Sequence, residues 1–373
     1  MATSARLTAI DTLRGLVIVL MVLDHVRDYF TPSAIDPTDL AHTSPALFWT
    51  RWITHLCAPT FVLLAGCAAW LRGQRCGSIE LARYLATRGF LLLLLEATWI
   101  SFCWQFAYQV IILQVLFALG AGMIFLSVLL QLPRWLIGAI GALLILPHNL
   151  FDAWTTPDLF WRAWHLGGYY PLGAHFGIVF VYPLMPWLGL IALGYTLGPV
   201  FAWTAARRQR LLLGLATGLL AVFLALRLTH VYGDPQRYAP TGLGPMYDLM
   251  AFVNLQKYPP SLLYLCLTLA IALALLAWFE RLPPLPVLTL FGRHPLLLYA
   301  SHIALVHLLA NAYFALRYGA QPVFDADSGQ LHLPPGYTAA LWPAYLAWPA
   351  VLALLYGALR LLQAWRGRRP DVR

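Results

Sequence analysis

Charge is scarce in this chain. Of its 373 residues only 10% are Asp, Glu, Lys or Arg, against 61% that are hydrophobic. That balance excludes an ordinary soluble domain and indicates a polytopic membrane protein. Paired cysteines are lacking as well. Cys57, Cys67, Cys76, Cys103 and Cys266 form no C-x-x-C pair, and four of the five fall in apolar stretches. Neither a disulfide framework nor a zinc site is expected, and no metal of any kind. The N-terminus lacks a small-residue cleavage site, and its first apolar stretch is interrupted by Asp24-His25. This reads as a retained helix rather than a signal peptide. Internal repeats, low-complexity tracts and room for a soluble domain are also missing, so residues 1–373 read as one integral-membrane domain. The net charge of +9 would suit nucleic acid. The arginine clusters, however, sit in short loops between apolar spans, where they set topology, and no nucleic-acid partner is expected.

What is present is a succession of apolar segments, about ten at roughly 20 residues each. The predicted class is therefore all-α, a polytopic membrane helical bundle. The approximate limits are 10–30, 47–71, 89–107, 109–131, 133–150, 175–200, 211–229, 259–280, 293–314 and 337–362. The connections carry the basic residues asymmetrically. Arg72, Arg75, Arg83 and Arg88 lie between spans two and three, Arg207, Arg208 and Arg210 between six and seven, and Arg366, Arg368 and Arg369 after span ten. All fall on one side if both termini are cytoplasmic, as the positive-inside rule requires. The opposite connections, 31–46, 151–174, 230–258 and 315–336, are longer and rich in Pro, Gly, aromatic residues, Asp and His. Long loops on one face of a bundle usually build or cover a site. Pro133 is expected to open span five and Pro259-Pro260 span eight. Trp49, Trp52, Trp161 and Trp164 read as an interfacial belt.

The stretch LRGLVIVLMVLDHVRDYF, residues 13–30, places Asp24, His25, Arg27 and Asp28 inside a spanning helix. Ionisable groups at that depth cost a few kcal/mol each and normally face a protein interior or an aqueous cavity, so the first hypothesis is a functional site. Asp24 and His25 point about 100° apart on a helix. The residue placed to hold the His25 ring is therefore Asp28, at i+3, while Arg27, at i+3 from Asp24, neutralises that carboxylate. Span two adds Arg51 and His55 at i,i+4, and span nine adds His302 near its middle, with His307 and Asn311 further along. A histidine with one ring nitrogen held is suited to general-base work. The candidate catalytic residues are His25, Asp24, Asp28 and His55. Arg51, His302, Lys257 and Tyr258 are candidates for binding the acceptor or stabilising an oxyanion. Arg14, Arg88 and Arg293, at expected cytoplasmic helix ends, suit phosphates through the planar guanidinium fork. Arg14 and His25 lie about 16 Å apart along a helix, a separation that fits a long donor with a phosphate-rich head. Glu96 is expected to neutralise a neighbouring arginine.

These residues carry a resemblance. RLTAIDTLRGLVIVLMVLDHVRDYF followed by ALFWTRWITHLCAPTFVLLAG resembles the bacterial branch of the heparan-α-glucosaminide N-acetyltransferase catalytic-domain family, within the transmembrane acyltransferase superfamily. PWLGLIALGYTLG at 186–198, LRLTHVYGDP at 226–235, KYPPSLLYL at 257–265 and FGRHPLLLYASHIALVH at 291–307 agree. The resemblance covers nearly the whole chain. It implies a multi-pass acyltransferase in the bacterial cytoplasmic (inner) membrane that takes acetyl from cytoplasmic acetyl-CoA and delivers it to a sugar or glycan on the far side. The family's key histidine lies in the loop after span one. Here that loop offers only His42, at a different spacing, so His25 and His55 are favoured. Membrane lipids are the remaining expected partners, and self-association is left open. The alternative is a proton-coupled transporter or flippase of an envelope glycan or lipid precursor, with the buried Asp/His groups as its relay. A non-catalytic scaffold is a third reading. Direct transfer and an acetyl-histidine intermediate both remain open.

Overall fold

The computed structural model describes residues 8–33, 35–325 and 330–367. Arg368 and Arg369, invoked above for topology, lie outside the described residues. The described chain is overwhelmingly helical, and eight helical stretches among those residues are long and apolar enough to cross a membrane. Two further expected spans fall short by those measures, for different reasons. The first helix is 23 residues long but carries Asp11, Arg14, Asp24, Arg27 and Asp28. The helix Val115–Leu129 is wholly apolar but has only 15 residues.

Contacts divide the chain into two compact units. One comprises the residues up to Thr54 and those from Pro284 onward; the other is His55–Pro283. The first unit contains α1 (Thr8–Phe30), α2 (Pro45–Trp52), α13 (Pro286–Arg293), α14 (Pro295–Tyr318) and α15 (Trp342–Gly367), with a hairpin of β4 (Val323–Asp325) and β5 (Gln330–His332). α1 is its centre and packs against α13, α14 and α15. Asp11 in its first turn and Arg27 in its last complement the helix dipole. Trp348 on α15 donates its indole N–H to Val19 O at 2.9 Å, and Thr50 on α2 shares a 2.6 Å hydrogen bond with the Tyr345 hydroxyl.

Glycine sets how closely α1 and α13 approach. A Cβ on Gly15 would strike the backbone carbonyl of Leu288, and one on Gly292 the carbonyl of Asp11. Between them Thr12 and Thr289 join their hydroxyls at 3.2 Å. In a medium as apolar as the helices themselves, such small-residue contacts supply the packing that hydrophobic burial cannot. Gly292→Ala is therefore expected to lower the thermal midpoint of the detergent-solubilised protein. Gly357→Ala, where an added Cβ meets nothing within 4 Å, should leave the midpoint unchanged or raise it. Equal behaviour of the two would remove the packing argument.

The second unit contains α3 (Cys57–Gly73), α4 (Ser78–Leu95), α5 (Ser101–Gln105), α6 (Val115–Leu129), α7 (Arg134–Ile145), α8 (Leu159–Trp161), α9 (Leu184–Leu197), α10 (Ala205–Thr229), α11 (Pro245–Val253) and α12 (Leu262–Phe279). It uses the same device: Gly66 and Gly194 bring α3 to α9, Gly89 and Gly120 bring α4 to α6, and Gly141 and Gly189 bring α7 to α9. A small sheet interrupts two expected spans. β1 (Val110–Leu113) and β3 (Gly177–Phe180) pair in parallel, and β2 (Gly168–Pro171) pairs antiparallel with β3. The segments 109–131 and 175–200 thus begin as strands. Their β-branched residues favour the extended form, and Pro183 N-caps α9 three residues after β3. Pro259-Pro260 also fall outside a helix. Ser261 is the N-cap of α12, its hydroxyl accepting from Tyr264 N at 3.0 Å.

Candidate functional site

One turn of α1 and one turn of α14 form the centre of the site. His302 is fully buried. Its Nδ1 lies 2.8 Å from Tyr299 O and 3.0 Å from Leu298 O, both in the preceding turn of its own helix. Carbonyl oxygens only accept, so the proton of the neutral ring belongs on Nδ1 and the lone pair on Nε2. That Nε2 is 2.7 Å from His25 Nδ1. His25 Nδ1–H is accordingly the donor, and the basic lone pair of the His25 ring is placed on Nε2. The rings stack at 4.9 Å between centroids and 19° between planes. A backbone turn thus fixes one imidazole, which fixes the tautomer and orientation of the next.

This corrects two expectations. Asp28 was expected to hold His25; in the structure its carboxylate pairs with Arg27, and His25 Nδ1 is held by His302. The reason is reach: the guanidinium of the adjacent residue offers a charged fork that a neutral imidazole cannot match. His302 was assigned to the acceptor or oxyanion group. In the structure its Nδ1 faces two carbonyls of its own helix and its Nε2 meets His25 Nδ1.

Beside the histidines lies a charge cluster. Asp24 Oδ1 is 2.8 Å from Arg27 Nη1, as the i,i+3 spacing requires, and Asp24 Oδ2 is 2.6 Å from Arg51 Nη1. Asp24 is 8% and Arg27 4% exposed, so each charge is taken largely out of water and depends on its partners for compensation. With Asp28 the cluster holds two carboxylates and two guanidiniums, and is neutral in sum. Arg51 is therefore engaged by a carboxylate. The expected i,i+4 spacing of Arg51 and His55 assumed an unbroken α-helix, whereas α2 ends at Trp52 and Ile53–Leu56 form a tighter 3₁₀ turn.

His55 belongs to the second unit. It is buried, its ring meets that of Tyr264 at 5.5 Å, and its carbonyl accepts from the Tyr264 hydroxyl at 2.8 Å. Lys257 and Tyr258 lie in the turn before α12, the ammonium 5.2 Å from the Tyr258 ring centroid. His42 is exposed and bonds Asp39 Oδ2 at 2.6 Å.

The expected phosphate-binding arginines separate into two groups. Arg14 and Arg293 converge on Asp11, at 3.5 and 3.7 Å, and Arg14 reaches Gly292 O at 3.4 Å. Asp11 is a site residue that sequence reasoning passed over, although it sits at i−3 from Arg14. Arg88 belongs to the other unit. It lies well inside α4 rather than at a helix end, with Tyr84 beneath its guanidinium at 5.7 Å. Glu96 is also corrected. Its partner is no arginine but the amide of Gln114, whose N–H it accepts at 2.6 Å where α6 begins. A carboxylate suits the positive end of a helix.

The sequence model of the family described as "Heparan-alpha-glucosaminide N-acetyltransferase, catalytic" matches residues 6–228. That range includes α1, the Asp24–Arg51 cluster and His55. No curated protein gives a significant match.

Proposed function

Since the chain belongs to the heparan-alpha-glucosaminide N-acetyltransferase catalytic family, we propose that it transfers acetyl from cytoplasmic acetyl-CoA to an amine or hydroxyl of an extracytoplasmic sugar or glycan. It would do so as a multi-pass protein of a bacterial inner membrane with both termini cytoplasmic. The observation that carries the reading is the His25–His302 couple: a base whose lone pair lies on Nε2 and whose other nitrogen is held at 2.7 Å. Nε2 takes the proton from the acceptor as its nitrogen or oxygen attacks the thioester carbonyl. The tetrahedral intermediate collapses with cleavage of the carbon–sulfur bond, and the departing thiolate receives the proton. Arg14 and Arg293 would receive the donor's phosphates, exchanging their ion pairs with Asp11 for stronger, multiply charged ones. The transport alternative is less well supported. A guanidinium does not release a proton at physiological pH, so the Arg27–Asp24–Arg51 arrangement is a charge clamp rather than a relay.

The test is incubation of detergent-purified protein with radiolabelled acetyl-CoA, with and without glucosamine. Acceptor-dependent label transfer is expected, with CoA release in the absence of acceptor staying below one equivalent of enzyme. A stoichiometric acceptor-free burst would point instead to an acetyl-histidine. Absence of both binding and turnover would remove the enzyme reading. His302→Phe is expected to lower kcat about 10²-fold while the KM for acetyl-CoA is kept. His302→Gln, which can still accept from His25, should recover part of that loss. A loss confined to KM would contradict the positioning role.

A further inference from the structure

Several arginines of this protein meet carboxylates: Arg27 and Arg51 meet Asp24, Arg14 and Arg293 meet Asp11, and Arg208 meets Glu280. Arg72 and Arg88 are placed differently. Both approach one aromatic ring, the Arg72 guanidinium carbon 3.7 Å and that of Arg88 5.7 Å from the centroid of Tyr84. The two cations are therefore within about 10 Å of each other, the Debye length at 0.1 M salt, and repel. Between Arg72 and Arg88 the chain holds four arginines against one carboxylate, Glu80, so the stretch is cationic as a whole.

Local structure brings the pair together. α3 ends at Gly73, and Arg72 O accepts from Arg75 N at 2.9 Å in the short turn that leads to α4. A Cβ on Gly73 would come within 2.9 Å of the Leu81 side chain, so the glycine lets the end of α3 lie close against the start of α4. Tyr84 and Arg88, at i,i+4 on α4, share a helix face. The tyrosine is half-buried and packs against a cluster that includes Ala69, Leu81, Leu85 and Leu126, whereas both arginines are exposed. A fixed ring thus gathers two mobile charges at the surface. It draws a guanidinium to its face without using the in-plane N–H donors, which stay available for anionic oxygens.

The surface beside the pair indicates what carries the anion. α4 opens a stretch long and apolar enough to cross a membrane, Ser78–Gln105, most of which no other helix covers. Its exposed residues change character at Gly89. Glu80, Arg83, Thr87 and Arg88 precede it; Phe90, Leu91 and Leu94 follow. Arg88 and Leu94 lie about 9 Å apart along the helix, comparable to the thickness of one headgroup layer. A soluble phosphate compound would meet the arginines and gain nothing from the apolar face. A phospholipid meets both.

We propose that Arg72 and Arg88, gathered on the Tyr84 ring, bind the phosphate of an anionic phospholipid whose acyl chains lie along Phe90, Leu91 and Leu94. The guanidinium N–H groups donate to the phosphate oxygens, and the bound charge relieves the repulsion between the two cations. The site stands independently of the acetyltransferase reading and gives Arg88, expected to bind donor phosphates, to a lipid.

Titration of the full-length, detergent-purified protein with dioleoyl phosphatidylglycerol or dioleoyl phosphatidylcholine in mixed micelles tests it, with bound lipid counted by native mass spectrometry. Phosphatidylglycerol is expected to bind about tenfold tighter, the order of one charge-assisted hydrogen bond. Arg72→Gln and Arg88→Gln should each remove that preference and Arg72→Lys keep part of it, with unchanged size-exclusion profiles. Arg207→Gln is the control: Arg207 rests on a different ring, Trp203, at 3.9 Å, and its replacement removes the same charge from another place. The preference should survive it. Equal binding of the two lipids, or an equal loss in Arg207→Gln and Arg72→Gln, would reveal only diffuse surface charge and overturn the site. Inorganic phosphate and CoA are the soluble competitors. Displacement of phosphatidylglycerol by either would give the arginines to a soluble phosphate compound and overturn the lipid assignment.

Discussion

His25→Ala is expected to reduce acetyl transfer by about 10²- to 10⁴-fold, the range for loss of a positioned general base. The loss should appear in kcat, with acetyl-CoA binding and the folded state preserved. The ring is partly exposed and its removal leaves the contacts of His302 with Leu298 and Tyr299 intact. Added imidazole should restore part of the rate, because the vacated space lies against an Nε2 already oriented to accept an N–H. Undiminished transfer by the variant would move the base role to another histidine, of which His55 is the first to examine.

Asp24→Ala is expected to be the most damaging single change to stability. It leaves the buried Arg27 with Asp28 alone and takes from Arg51 the carboxylate at 2.6 Å. Removing one partner of a buried ion pair costs about 3–5 kcal/mol, because the remaining charge stays out of water without compensation. The measurement is thermal or denaturant unfolding in detergent of Asp24→Ala, Arg51→Ala and the double variant. The double variant should be less destabilised than the sum of the singles, since it removes both members of one pair. Strict additivity, or a single variant with an unchanged midpoint, would show that the Asp24–Arg51 pair bears no structural role.

The sequence was most legible where the signal was local. That residues 10–30 form one continuous helix with four ionisable residues in its last two turns follows from its apolar run and from helical periodicity. The Asp24–Arg27 pair follows from i,i+3 spacing, and the all-α membrane class from composition. Each depends on residues within a few positions of one another, whose relation a helix sets without help from the rest of the chain. The largest misreading was non-local. His25 and His302 stand 277 positions apart, and nothing in either neighbourhood specifies that their ring nitrogens meet. Their meeting depends on α14 packing against α1, which α13 approaches closely because Gly15 and Gly292 have no side chain to separate the backbones. Asp28 could reach either its neighbour Arg27 or the ring one turn back, and spacing does not rank them; the strength of a charged pair does. Glu96 was assigned to an arginine because carboxylates in apolar surroundings seek cations, yet the start of α6 brought backbone N–H groups within reach. The sequence by itself determined which segments are rich enough in apolar residues to leave water and which residues share a face within an unbroken helix such as α1. Tertiary packing decided which polar groups of different helices meet, because a buried ring nitrogen or charge takes the partner that the close approach of helices delivers.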